Sequence, residues 1–180
     1  MDEKTDYQWE WFVAIAAFIL LECLIILIVF LVNRKKYNEL CNAYLSNDYS
    51  SVIKLSKCLN SRYIDAKAKD NGRVYLAVAN LELGNNDKFL EEINKVQDDE
   101  ILSKKYFWLA IDSIIKHNKN DFENYKGQLI NSKDCSNKDT ALKIMRVVEK
   151  SQNESCIFDQ FDLALIKDIK SDILRNLLKT

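Results

Sequence analysis

The chain has 180 residues, 48% hydrophobic and 29% charged, with a net charge of −1, three glycines and no proline. At ordinary usage of about 5% proline a chain this long would carry several helix breakers, so their absence leaves helix open from end to end. The length admits one domain with an appendage and excludes a large multidomain enzyme, and so few glycines argue against Gly-rich phosphate loops, collagen and a turn-rich β sandwich.

Residues 1–10 are acidic, with Lys4 set against Asp2, Glu3, Asp6 and Glu10. Residues 11–32 then read WFVAIAAFILLECLIILIVFLV, with a single charge. At 1.5 Å per residue this stretch covers the roughly 30 Å hydrocarbon core of a bilayer, which predicts a transmembrane helix. A cleaved signal peptide needs a basic start, a shorter apolar core and small residues at a cleavage site, and none of these is present. Trp9, Trp11 and Tyr37 fall where amphipathic rings prefer the headgroup region. Arg34, Lys35 and Lys36 follow the span directly, so the positive side is the C-terminal one. This predicts a single-pass protein with residues 1–10 outside and the rest cytoplasmic. Heavy use of Asn, Lys and Ile points to an AT-rich genome and a bacterial cell membrane. Envelope chaperones that carry repeats after a signal anchor are the alternative, with the domain outside.

Glu22 sits at mid-span, where a carboxylate costs about 2.5–3.5 kcal/mol on insertion scales. It is a candidate intramembrane contact, to a polar partner helix or a second copy, against the alternative of a neutral carboxyl with no partner. Cys23 lies in the span, and Cys41, Cys58, Cys135 and Cys156 have neither CxxC spacing nor the density of a disulfide scaffold, so most are expected to be buried thiols. Asn153-Glu154-Ser155 matches a glycosylation acceptor that would be silent on the cytoplasmic side.

Residues 33–180 hold 25 basic and 22 acidic side chains with the signs interspersed, which is a mixed surface and no nucleic-acid stripe. Four times within them apolar residues fall at i, i+3, i+4, i+7: Tyr37, Leu40, Cys41, Tyr44; Val74, Ala77, Val78, Leu81; Phe107, Ala110, Ile111, Ile114; and Ala141, Ile144, Met145, Val148. Their starts are 37, 33 and 34 residues apart, a period typical of stacked helix hairpins. A polar turn follows each: Ser46-Asn47-Asp48, Gly84-Asn85-Asn86-Asp87, Asn118-Lys119-Asn120-Asp121 and Gln152-Asn153-Glu154-Ser155. Asn and Gly end a helix in left-handed conformation, and Asp or Ser caps the next. Each turn leads into another apolar stripe: Tyr49, Val52, Ile53; Phe89, Leu90, Ile93; Phe122, Tyr125, Leu129; and Phe158, Phe161, Leu165.

With this pattern the chain resembles the tetratricopeptide-repeat family, whose first helix carries W-x2-L-G-x2-Y. Tyr37, Leu40, Cys41 and Tyr44 match it, and the Asp48-Tyr49 and Asp121-Phe122 turns are similar to the family's turn. The small position is filled by Val78, Ile111 and Met145 in later units, and the proline that often closes a repeat is missing. The resemblance implies an all-α fold: a transmembrane helix followed by a divergent α-solenoid of about four hairpins over residues 33–166. The competing fold is an irregular helical bundle. Residues 167–180, continuing from Leu163 with Ile166, Ile169, Ile173, Leu174 and Leu177 on one face, are expected to form a capping helix over the last hairpin, or a docking helix.

In that family the inner groove is lined by the first helix of each hairpin. The resemblance places there Lys35, Asn38 and Asn42; Tyr75 and Glu82; Lys105, Trp108 and Asp112; and Leu142, Arg146 and Glu149. Asn38, Asn42, Tyr75, Trp108, Asp112 and Arg146 are the groove candidates. Tyr75 and Trp108 fall at equivalent positions and would anchor a peptide or helix, unless they pack between hairpins.

Catalytic signals are sparse. His117 is the single histidine and lies in a polar turn, and no HExxH, GxSxG, GxxxxGK[ST] or GxGxxG motif is present. Asp98-Asp99-Glu100 lacks EF-hand spacing and is expected to cap the helix starting near Ile101 through the macrodipole. The reading is of a protein-binding membrane adaptor with no catalytic activity, cofactor, metal, nucleic acid or small-molecule substrate. The alternative is an accessory subunit of a membrane complex that interacts through the span.

Overall fold

The computed structural model describes residues 3–133, 135–152 and 158–178, and among them the fold is all-helical, without strands. The first helix, α1 (Glu3–Leu45), is 43 residues long and unbroken, about 64 Å at the standard rise. No glycine or proline stands between the apolar stretch and Tyr37, and the helix runs through. Its side chains from Trp9 to Val32 are all exposed, and this one helix is long and apolar enough to cross a membrane. A soluble monomer rarely exposes an apolar surface of that extent.

From Tyr37 onward α1 joins an array of helix pairs. α2 (Tyr49–Leu55) continues into a short 3-10 helix (Ser56–Asn60), then come α3 (Ala66–Glu82), α4 (Asn86–Asn94), α5 (Leu102–Ile115), α6 (Lys119–Asn131) and α7 (Cys135–Ser151). α1 packs on α2, α3 on α4 and α5 on α6, while α1, α3 and α5 also touch α3, α5 and α7 respectively. The four apolar stripes face inward. Leu40, Val74, Ala77, Ala110, Ile111, Met145 and Val148 are essentially inaccessible, as are Val52, Phe89, Ile93 and Leu129 on the returning helices. Burying each such side chain contributes about 1.5–3 kcal/mol.

The turns follow from local chemistry. Asn47 and Gly84 take left-handed conformation, with φ of 59° and 77°. In the third turn His117 does so, with φ of 53°, and Asn118 instead caps α6 by accepting the Asp121 amide. Asp48 and Asp65 cap α2 and α3 in the same way. The fourth turn, with Asn153-Glu154-Ser155 and Cys156, lies outside the described residues beyond Gln152.

Three expectations gain detail or need correction. First, α5 starts at Leu102, just after the acidic run as expected, and without a side-chain hydrogen bond at its cap. Asp98 accepts the Glu100 amide, Glu100 pairs with Lys67 and Asp99 with Lys133, so the acidic run ties neighbouring segments together. Secondly, α8 (Gln160–Asp168) is turned away from the phase that its sequence predicts: Phe161 is 87% exposed and Asp162 is buried. The cause is Asp162 itself, which completes a capping box with Asp159 and takes an ion pair from Lys150. Thirdly, the tail is not one capping helix. It breaks after Asp168, runs extended at Ile169 and restarts as α9 (Asp172–Leu177), capped by Ser171.

Candidate protein-binding face

α1 and α3 lie side by side, tied at two levels. The Asn71 amide donates to the Tyr37 hydroxyl at 3.5 Å, and the Tyr44 and Tyr75 rings stack at 4.1 Å with planes 15° apart. The two ties advance together along both helices, so the helices run in the same direction. Burial pushes the Tyr37 phenol up to about 12 and also raises Tyr44 and Tyr75, which keeps all three as neutral hydroxyls at ordinary pH. Lys104 of α5 reaches across, donating to Asn71 Oδ1 at 2.7 Å and lying 5.8 Å from the centre of the Tyr75 ring. Asn38 and Asn42 are exposed on α1, one residue beyond Tyr37 and Cys41.

The remaining groove candidates scatter. Trp108 is 7% exposed, with its ring edge-on to Phe107 at 5.3 Å. It packs between helices and presents no surface to a peptide. Asp112 is buried too, accepting from Lys116 at 2.7 Å while its Oδ1 has no hydrogen-bond partner among the described residues. Arg146 is exposed but stands near Asp162, whose carboxyl is lowered first by the Lys150 hydrogen bond and less by Arg146. Lys105 is spent on the Val96 carbonyl at 3.0 Å and Glu149 on Lys126. Leu142 is half-buried, and Lys35 is exposed beside Glu39 at 4.0 Å. Glu22 is exposed on α1 within the apolar stretch.

One constellation escapes the sequence pattern altogether. Glu82, at the end of α3, accepts the Ser171 hydroxyl on one carboxylate oxygen and the Ile173 amide at 3.2 Å on the other. Burial raises the Glu82 carboxyl, and the Ser171 and Ile173 bonds partly oppose that rise. The Tyr49 hydroxyl also bonds to Glu82. Asn47 donates to the Lys170 carbonyl at 3.2 Å, and Ser151 to the Leu177 carbonyl at 3.1 Å. Ile169 and Leu174 fill the space between as part of the main core. Residues 169–178 are therefore a strap that crosses the turn ends of α1, α3 and α7 and is held by its backbone as well as its side chains. A cleft of about 460 Å³ opens beside it, lined by Leu81, Ile114, His117, Ile173 and Leu177 among others. Only the separation in sequence hides this: Glu82 and Ser171 are 89 positions apart.

Among the described residues no three His, Cys, Asp or Glu side chains are grouped to hold a metal. No family model, curated protein or solved structure matches the chain.

Proposed function

We propose that this chain is a single-pass adaptor of the bacterial cell membrane, with its N-terminus outside and a tetratricopeptide-like helical domain in the cytoplasm that binds a protein partner. The reading is of recruitment, without catalysis or cofactor. The observation that carries it is the continuity of α1: one helix holds the exposed apolar stretch and the first apolar stripe of the array, so binding and anchoring share a rigid element. The strap supports the binding half, because the helix ends that take its backbone through Asn47, Glu82 and Ser151 have the donors and acceptors to take an extended or short helical segment. Asn38, Asn42 and Tyr75, on the neighbouring stretch of α1 and α3, are the side chains proposed to meet the partner.

Photo-crosslinking from position 42 in intact membranes tests this, in the native chain and in one whose residues 11–32 are replaced by an unrelated span. The same adduct is expected from both. A second reading, an accessory subunit held through the bilayer, draws on Glu22 lying exposed at mid-span. Loss of the adduct on span exchange, together with its loss in Glu22→Leu, would select that reading.

A further inference from the structure

We propose that the 3-10 helix and the loop that joins it to α3, with Lys57, Arg62 and Tyr63, form a second membrane contact that docks on anionic lipid headgroups beside the end of the span. The inference rests on α1 crossing the bilayer as proposed above. It follows from the register of α3 on α1. Asn71 bonds to Tyr37, 34 positions earlier, and Tyr75 stacks on Tyr44, 31 positions earlier. Carried back along two parallel helices, that offset sets Ala66, the first residue of α3, level with residues 32–35. Val32 is the last apolar residue of the stretch, so the segment just before Ala66 lies at the depth of the headgroups.

The 3-10 helix reaches the same end from the other side. Leu59 is buried beside Gly72 and Tyr37: a Cβ at Gly72 would come within 2.4 Å of Leu59 and 3.3 Å of Tyr37. The 3-10 helix packs on α1, and Lys57 stands two positions before Leu59, which meets Gly72 together with Tyr37, the residue that follows the basic triplet. Between Ser56 and Lys69 the sequence has four basic side chains and one acidic one, Asp65. Asp65 is turned onto the Ala68 amide as the cap of α3, and Lys67 is matched by Glu100. Lys57 and Arg62 are exposed, and neither pairs with a carboxylate among the described residues. Arg62 donates to the Tyr63 hydroxyl at 2.8 Å and lies over its ring at 5.0 Å, a guanidinium and amphipathic ring combination suited to the water–lipid boundary. Arg34 and Lys36 are exposed as well, and a negatively charged leaflet is the complement of these basic side chains.

The test uses the full chain in lipid nanodiscs, with hydrogen exchange read on peptides covering residues 56–65. Discs of phosphatidylcholine alone are compared with discs that also contain phosphatidylglycerol. Slower exchange of this segment is expected in the anionic discs. The Lys57→Ala, Arg62→Ala double variant should lose it, with the contact equilibrium falling about fivefold for each basic side chain removed. Equal exchange in both discs, or slowing that survives in the double variant, would overturn the proposal. Slowing produced equally by inorganic phosphate in neutral discs would also overturn it, because the loop would then be a soluble anion site. Peptides of residues 11–32 provide the separate control: fast exchange there means that the span itself has failed, whatever the loop does.

Discussion

At its N-terminal side the array is reached by α1, whose apolar residues from Trp11 to Val32 touch no other element before the same helix packs through Tyr37, Leu40 and Tyr44. At its C-terminal side, residues 169–178 carry Ile169, Ile173, Leu174, Leu177 and Leu178 in short, broken pieces that lie against three of the first helices. One attachment is a single ladder of backbone hydrogen bonds whose apolar surface needs an environment supplied from outside. The other is a set of point contacts whose apolar surface is already covered. The difference teaches that apolar side chains have two structural fates, one of them open where polar atoms of the array take hold of the backbone that carries them. It also predicts that the strap can be loosened piecemeal, whereas α1 transmits its position as a unit.

The strap should respond most to loss of its buried anchor. Leu174 is 4% exposed, and Leu174→Ala should cost about 2–5 kcal/mol of stability from lost burial and the cavity left behind. Thermal unfolding measures the loss. Hydrogen exchange should speed up in residues 169–178 while α1 keeps its native protection. Equal loosening of α1 would mean that the two attachments are one cooperative unit, and the contrast would fail.

Next in size is the Glu82 clasp. Glu82→Ala leaves the Ser171 hydroxyl and the Ile173 amide without their acceptor and should cost about 1–3 kcal/mol. The clasp also carries a pH dependence of definite sign. Burial raises the folded Glu82 carboxyl above its ordinary value of 4.5, so between the two values the folded state binds the extra proton. Its contribution is complete below the unfolded value and is lost as pH rises through the raised folded one. Glu82→Gln removes that titration. The melting temperature of the variant relative to the native chain should therefore climb as pH is raised from about 4.5, and a difference independent of pH would remove Glu82 from the account.

The same contrast explains what the residue pattern could and could not reveal. Helical periodicity locates α1, the inward stripes of α3, α5 and α7, and the breaks at Asn47 and Gly84, because each depends on neighbours within a few positions. Trp108 looks free on a spacing argument and is buried, since the i, i+3, i+4 stripe underestimates how much of α5 is enclosed by α4, α6 and α7. Asp162 reverses the phase of α8 because a capping box and the Lys150 ion pair outweigh an exposed Phe161. The clasp between Glu82 and Ser171 could not be read at all. Nothing in a single chain marks which of its many acidic residues will meet a serine 89 positions away, and no glycine or proline marks the break after Asp168.

Asn47 separates the two kinds of control at a single residue. Its backbone holds φ at 59°, ending α1, while its side chain donates to the Lys170 carbonyl in the strap. Glycine at this position accepts the left-handed conformation without strain, so Asn47→Gly removes only an exposed hydrogen bond and should cost no more than about 0.5–1 kcal/mol. Asn47→Ala loses the same bond and, unlike glycine, keeps a Cβ in left-handed backbone without the short polar side chain that lets Asn tolerate it, a further penalty of about 1 kcal/mol. Melting of the two variants should rank native, Gly, Ala, with hydrogen exchange at residues 169–171 accelerated equally in both. If the glycine variant alone left the strap protected, the turn conformation and not the Lys170 bond would be what holds this end of the strap in place.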